Sequence, residues 1–97
     1  MRRVLDYGWD PEKAETNRRT HHVGFDDAKV ALHDPLAVRW FDESHSVVEE
    51  PRFVTIGRDL LGRHLAVITS ESVQSPRIIF ARRATKRERH AYETHSF

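Results

Sequence analysis

Between Arg52 and Arg83 three short runs carry apolar residues at every second position, and this rhythm fixes most of what the chain can become. Val54 and Ile56 in the run Arg52–Arg58 answer Leu65 and Val67 in Arg63–Ser70 across an Asp59-Leu60-Leu61-Gly62 connection, the pattern of an antiparallel hairpin. After a loop over Glu71–Pro76, Arg77–Arg83 predicts a further strand. Strict alternation puts Ile78, Phe80 and Arg82 on one of its faces and Arg77, Ile79, Ala81 and Arg83 on the other. Leu36–Phe41 alternates as well and leads into an acidic loop, Asp42–Pro51, while the short mixed segment Arg3–Gly8 reads as an edge strand.

Helical signals surround these strands. Asp10 is placed to cap a helix whose first position is Pro11, where a missing N–H costs nothing, and Glu12 faces the positive end of the helix dipole. Its inner line is Ala14, Asn17, His21 rather than a row of leucines, so this helix is expected to meet something polar. A second helix spans Val23–His33 with Phe25, Ala28 and Leu32 on one stripe and Gly24 as its cap; Pro35 drives Asp34 out of helical geometry and ends it. Thr85-Lys86-Arg87-Glu88 has the form of a capping box, opening a last helix that buries Ala91 and Tyr92. The order of elements gives an α+β fold, with two N-terminal helices and one C-terminal helix packed on an antiparallel sheet. At 97 residues the whole chain, 1–97, makes one domain.

No stretch approaches the roughly 20 apolar residues of a membrane helix, and the basic start meets Asp6 before any apolar run develops. The expectation is a cytoplasmic protein without a membrane partner. There is no cysteine, hence no disulfide and no thiolate nucleophile. The seven histidines lack ligand spacing, and no Gly-rich phosphate loop or His-Glu-x-x-His motif occurs, so neither metal nor cofactor is expected.

Net charge is only +1, but it is unevenly spread. Asp42, Glu43, Glu49 and Glu50 crowd one segment, whereas Arg77, Arg82, Arg83, Lys86, Arg87 and Arg89 face Glu88 alone in another. Such a field attracts phosphates or an acidic partner, and arginine's planar fork suits phosphate. Arginines beside histidines suggest metal-free RNA cleavage, which needs a base for the 2′-hydroxyl, cations for the phosphorane and an acid for the leaving oxygen. His21 is the candidate for proton transfer and Arg52, Arg63, Arg77 and Arg82 for the cations; phosphate binding without cleavage fits the same composition.

The set Trp9-Asp10-Pro11-Glu12-Lys13-Ala14, Asn17, His21, Phe25, Asp34-Pro35-Leu36-Ala37, Arg52-Phe53-Val54-Thr55-Ile56-Gly57, Gly62-Arg63 and Arg77-Ile78-Ile79-Phe80-Ala81-Arg82-Arg83-Ala84-Thr85, with Glu88 and Tyr92, resembles the BrnT toxins of bacterial type II toxin-antitoxin systems. The resemblance runs from Trp9 to Tyr92. It implies a RelE-like fold, a ribonuclease that arrests translation, and a BrnA-like antitoxin partner through which operator DNA is met only indirectly. The resulting expectation has His21, Arg63 and Arg82 as catalytic groups and Lys13, Asn17, Arg52, Arg77, Arg83 and Lys86 as RNA contacts, with the arginines converging on one concave spot.

Three departures from the family pattern matter. Thr20-His21-His22 stands where Lys-His-Gly is common, Phe80 stands where Ser commonly precedes Ala-Arg, and Gly24 replaces a Ser cap. A ring at Phe80, on the Arg82 face, crowds a phosphate site. It favours the alternative of a catalytically weakened binding subunit acting with its antitoxin in a repressor complex.

Overall fold

A computed structural model describes residues 6–44, 46 and 50–95. The elements are α1 (Pro11–His21), α2 (Phe25–Leu32), β1 (Val38–Phe41), β2 (Arg52–Arg58), β3 (His64–Ser70), β4 (Arg77–Arg83) and α3 (Lys86–Thr94). The strands form one antiparallel sheet in the order β1-β2-β3-β4. This is the α+β arrangement expected from the order of the signals. Among the described residues no helix is long and apolar enough to cross a membrane.

The local signals act as their chemistry requires. The Asp10 side chain accepts from the Glu12 N–H at the start of α1, and Thr85 with Glu88 closes both halves of the capping box on α3. The second helix is shorter than the expected Val23–His33, because Gly24 sits extended as its N-cap and leaves Val23 outside, fully buried. The first strand begins at Val38 rather than Leu36, since the Asp34 carboxylate accepts from Leu36 N and holds that segment in a turn. Of the expected Arg3–Gly8 strand, residues 3–5 lie outside the described residues; Gly8 itself makes a parallel bridge to Arg77. Part of the acidic loop Asp42–Pro51, Glu49 included, also falls outside them.

Two apolar clusters sandwich the sheet. One holds Val23, Phe25, Ala28, Ala31 and Leu32 of the helical side against Leu65, Val67, Ile78 and Ala81, with Trp9 packed on Phe25 edge to face. The other gathers Val54, Ile56, Ala66 and Ile68 under Tyr92 of α3, with Val38, Trp40 and Phe80 at its margin. Gly57 makes the first cluster tight, because a Cβ there would lie 2.1 Å from the Ala31 carbonyl oxygen. Only glycine lets α2 sit that close to β2.

The alternation expected along β4 is overturned at one position. Ile68 pairs with Phe80 but Thr69 pairs with Ile78, so Ile79 is the extra residue of a β-bulge. One inserted residue reverses the face of everything before it. Ile78 therefore joins Ala81 beneath the helices, and Arg77 moves to the face of Phe80 and Arg82 instead of sharing that of Arg83.

The polar partner expected for α1 is the outer edge of β4. Asn17 Nδ2 donates to the carbonyls of Ala81 and Val23, each at 2.9 Å, and its Oδ1 accepts from Ala81 N at 3.0 Å. A side-chain amide thus takes the place of a fifth strand at this residue. Substituting Asn17→Ala leaves three buried backbone groups without these partners, and urea unfolding is expected to show a loss of about 3 kcal/mol; a loss under about 0.5 kcal/mol would remove the edge from this role.

Candidate functional site

The sequence-predicted residues fall into four places instead of one. Lys13, Asn17 and His21 of α1 line a groove of about 480 Å³ against Ile79 and Phe80 of β4. Arg52, Arg77 and Arg82 share the sheet face that carries Phe80. Arg63 and Arg83 line a separate cavity of about 310 Å³ at the far end of the β2–β3 hairpin. Lys86 is exposed in the first turn of α3. The single point of convergence expected from the charge run does not form, because the connected strands carry successive arginines to different faces and ends of the sheet.

In the groove, the His21 ring lies against Phe80 with centroids 6.1 Å apart and planes 30° from parallel. Phe80 shares the face of Arg82 by plain alternation, and the bulge at Ile79 brings Arg77 to that face as well. Asn17 is in the groove wall but its amide is fully used on backbone groups, so it positions the helix and offers no donor to a phosphate. Asp10 and Glu12 also line the groove and set two carboxylates beside the one lysine.

Most of the arginines are oriented by carboxylates. Arg82 makes a two-pronged bond to Glu88, Nη1 to Oε1 at 2.7 Å and Nη2 to Oε2 at 2.9 Å. Burial alone would raise the Glu88 carboxyl, but Arg82 and the Thr85 N–H hold it below its ordinary value. Arg77 donates to Glu50 at 2.6 Å, so the acidic loop neutralises the strand that the charge count set apart from it. Arg39, which sequence reasoning did not single out, lies over the Phe53 ring and bonds Glu71 at 2.8 Å. Glu71 also accepts from Tyr7 and Thr69; burial would raise it, yet these donors keep it low, and burial with the Glu71 bond pushes Tyr7 up to about 12.

Arg63 is the most constrained of all. Its Nε donates to Asp59 at 2.7 Å, Nη1 to the His22 carbonyl at 3.0 Å and Nη2 to Asp27 at 3.3 Å. The Asp59 side chain is fully buried and also accepts from Leu61 N and Arg63 N, while Gly62 turns the chain with φ at +80°. Burial opposes ionisation of Asp59, but the Arg63 bonds win and hold it low.

His64 is the residue that sequence reasoning passed over. It sits beside Arg63, Arg83 and Arg89 in the hairpin-end cavity, its ring edge-on to Tyr92 at 4.9 Å. Burial, then the charges of Arg89 and Arg58, lower its pKa. A lone histidine at a strand start carries no spacing signal, so only the fold reveals its neighbours. Among the described residues no three His, Asp or Glu side chains gather as metal ligands.

A family model described as "Ribonuclease toxin, BrnT, of type II toxin-antitoxin system" matches residues 9–88. No curated protein matches the chain.

The pKa shifts fix the pH dependence of stability. Asp34, Asp59, Glu71 and Glu88 all lie below their ordinary values in the fold, so on acidification the unfolded chain takes up protons first. Their stabilisation is present above about pH 4 and is lost as pH falls through the lower folded values. His64, also lowered, adds a gentler decline below about pH 6.5. Thermal melts from pH 7 to 3 should show both slopes, with Glu71→Gln less stable at pH 7 and flatter below pH 4. A wild-type melting temperature unchanged down to pH 3 would contradict this.

Proposed function

Since the chain belongs to the BrnT family of ribonuclease toxins of type II toxin-antitoxin systems, we propose that it cleaves RNA without a metal ion, arrests translation, and is held inactive by a BrnA-like antitoxin. The observation that carries the site assignment is the groove between α1 and β4, which seats His21 on Phe80 while Arg82 stands on the same face of β4. His21 exchanges one of the two protons, taking that of the 2′-hydroxyl or giving one to the leaving 5′-oxygen, and solvent water exchanges the other. Arg82, aimed by Glu88 and using two of its five N–H groups there, keeps donors for the charge that develops on the phosphorane. The chemistry is an in-line attack of the 2′-oxygen on phosphorus with expulsion of the 5′-oxygen, and it asks of the protein only proton transfer and charge stabilisation.

Arg52, and Arg77 through the donors that its bond to Glu50 leaves open, extend a track of guanidinium groups along this sheet face, and Lys13 flanks the groove. The antitoxin is expected to cover the same face with acidic and apolar groups, since Val38, Trp40 and Phe80 lie there only half-buried. Operator DNA is met through the antitoxin.

A second reading has specific support. Phe80 fills part of the groove, and Asp10 with Glu12 repel a phosphate there. Both features suit a toxin-fold subunit whose catalysis is weakened and which serves mainly as the antitoxin's partner in repression.

Induced expression with measurement of RNA decay separates the two. Under the ribonuclease reading wild type degrades RNA, and His21→Ala and Arg82→Ala each slow decay about 100-fold or more. Under the second reading wild type is nearly inert and Phe80→Ser creates activity. Equal decay in wild type and Arg82→Ala would discard the role given to Arg82.

A further inference from the structure

The hairpin-end cavity differs from the groove in the sign of its lining. Arg63, His64, Arg83 and Arg89 border it, and among the described residues no carboxylate does. The acids that serve these arginines stand behind them: Asp59 is fully buried beneath Arg63, and Asp27 approaches Arg63 from α2. Held at Nε, Nη1 and Nη2, the Arg63 guanidinium is fixed in orientation yet keeps two N–H groups unassigned. Arg83 has no ion-pair partner among the described residues, and Arg89 has only an exposed one-turn contact to Glu93 at 3.4 Å. Exposed pairs of that kind hold a side chain weakly, so Arg89 is free to turn inward. A pre-oriented guanidinium flanked by one without an ion pair and one only weakly held, in a concave recess, is the donor array that a tetrahedral oxyanion requires.

The charges facing His64 agree with this. Burial lowers its pKa most, and Arg89 of α3 and Arg58 of β2 lower it further, against smaller opposing effects of Glu93 and Asp34.

We propose that this cavity is a second phosphate subsite, which takes a backbone phosphate of the bound RNA strand other than the one cleaved. The inference rests on the ribonuclease reading for the identity of the strand and on the cavity alone for the chemistry. Along β4, Arg82 and Arg83 point to opposite faces, so a strand engaged at Arg82 reaches the recess by passing over the end of the sheet at the β4–α3 junction, where Arg83 and Ala84 line it.

The test is binding, kept apart from cleavage by an uncleavable probe, a short single strand of 2′-O-methyl RNA, and by free inorganic phosphate. The exposed pair Arg83→Ala/Arg89→Ala is expected to bind the strand about tenfold more weakly. Its log-log salt slope should be shallower by about 0.7, the contribution of one phosphate on a single strand. In the wild type, the His64 imidazole resonances should shift on adding the strand, with a raised pKa as the phosphate offsets Arg58 and Arg89. Unchanged affinity and slope in the double variant would overturn the proposal, as would a saturable His64 shift with inorganic phosphate that the RNA strand fails to displace, since the ligand would then be a small phosphate. If the strand binds as stated while no RNA is cleaved by the wild type, the ribonuclease reading fails and the subsite stands.

Discussion

One side-chain amide holds the architecture in register. Asn17 bonds both backbone groups of Ala81 on the outer edge of β4 and also the Val23 carbonyl at the α1–α2 junction. The edge strand is thereby closed by a helix at the point where it would otherwise offer unpaired backbone to another chain. The same three bonds set the distance between α1 and the sheet, and so define the groove in which His21 meets Phe80. A leucine at this position would have supplied apolar area but would have left the backbone of Ala81 and Val23 without these partners.

What could be read from the sequence was whatever chemistry acts over a few residues. The Asp10 cap, Pro11 at the helix start, the Thr85–Glu88 box and the period-two runs of β2 and β3 all appear where their local signals place them. The polar inner line of α1 announced a polar partner without naming it. Illegible were features decided by distant pairing. The bulge at Ile79 depends on the β3 register, and no residue type at that position marks it. Ion pairs such as Arg77 with Glu50, or Arg63 with Asp27, join residues far apart in the chain, so segment-by-segment charge counting treated them as separate fields. His64 was missed for the same reason, as its meaning comes from arginines on three other segments.

The near balance of charge takes on a different sense in the fold. Carboxylates here aim guanidinium groups more than they cancel them. Where the acid is buried behind the arginine, as at Asp59, the cationic surface survives toward solvent; where acids stand in the wall, as with Asp10 and Glu12, the local field is compromised. Net charge alone does not distinguish these two arrangements.

Glu88 carries two duties at once. It completes the cap of α3 through Thr85 N and grips Arg82 with both oxygens, Oε1 serving both donors. Any anion that draws the guanidinium away releases that carboxylate as well, and the first turn of α3 is then held less or more firmly according to where the freed oxygens settle. Occupancy at the sheet is in this way thermodynamically linked to fraying of the carboxyl-terminal helix, which makes amide exchange at Lys86–Glu88 a remote reporter of what sits on Arg82.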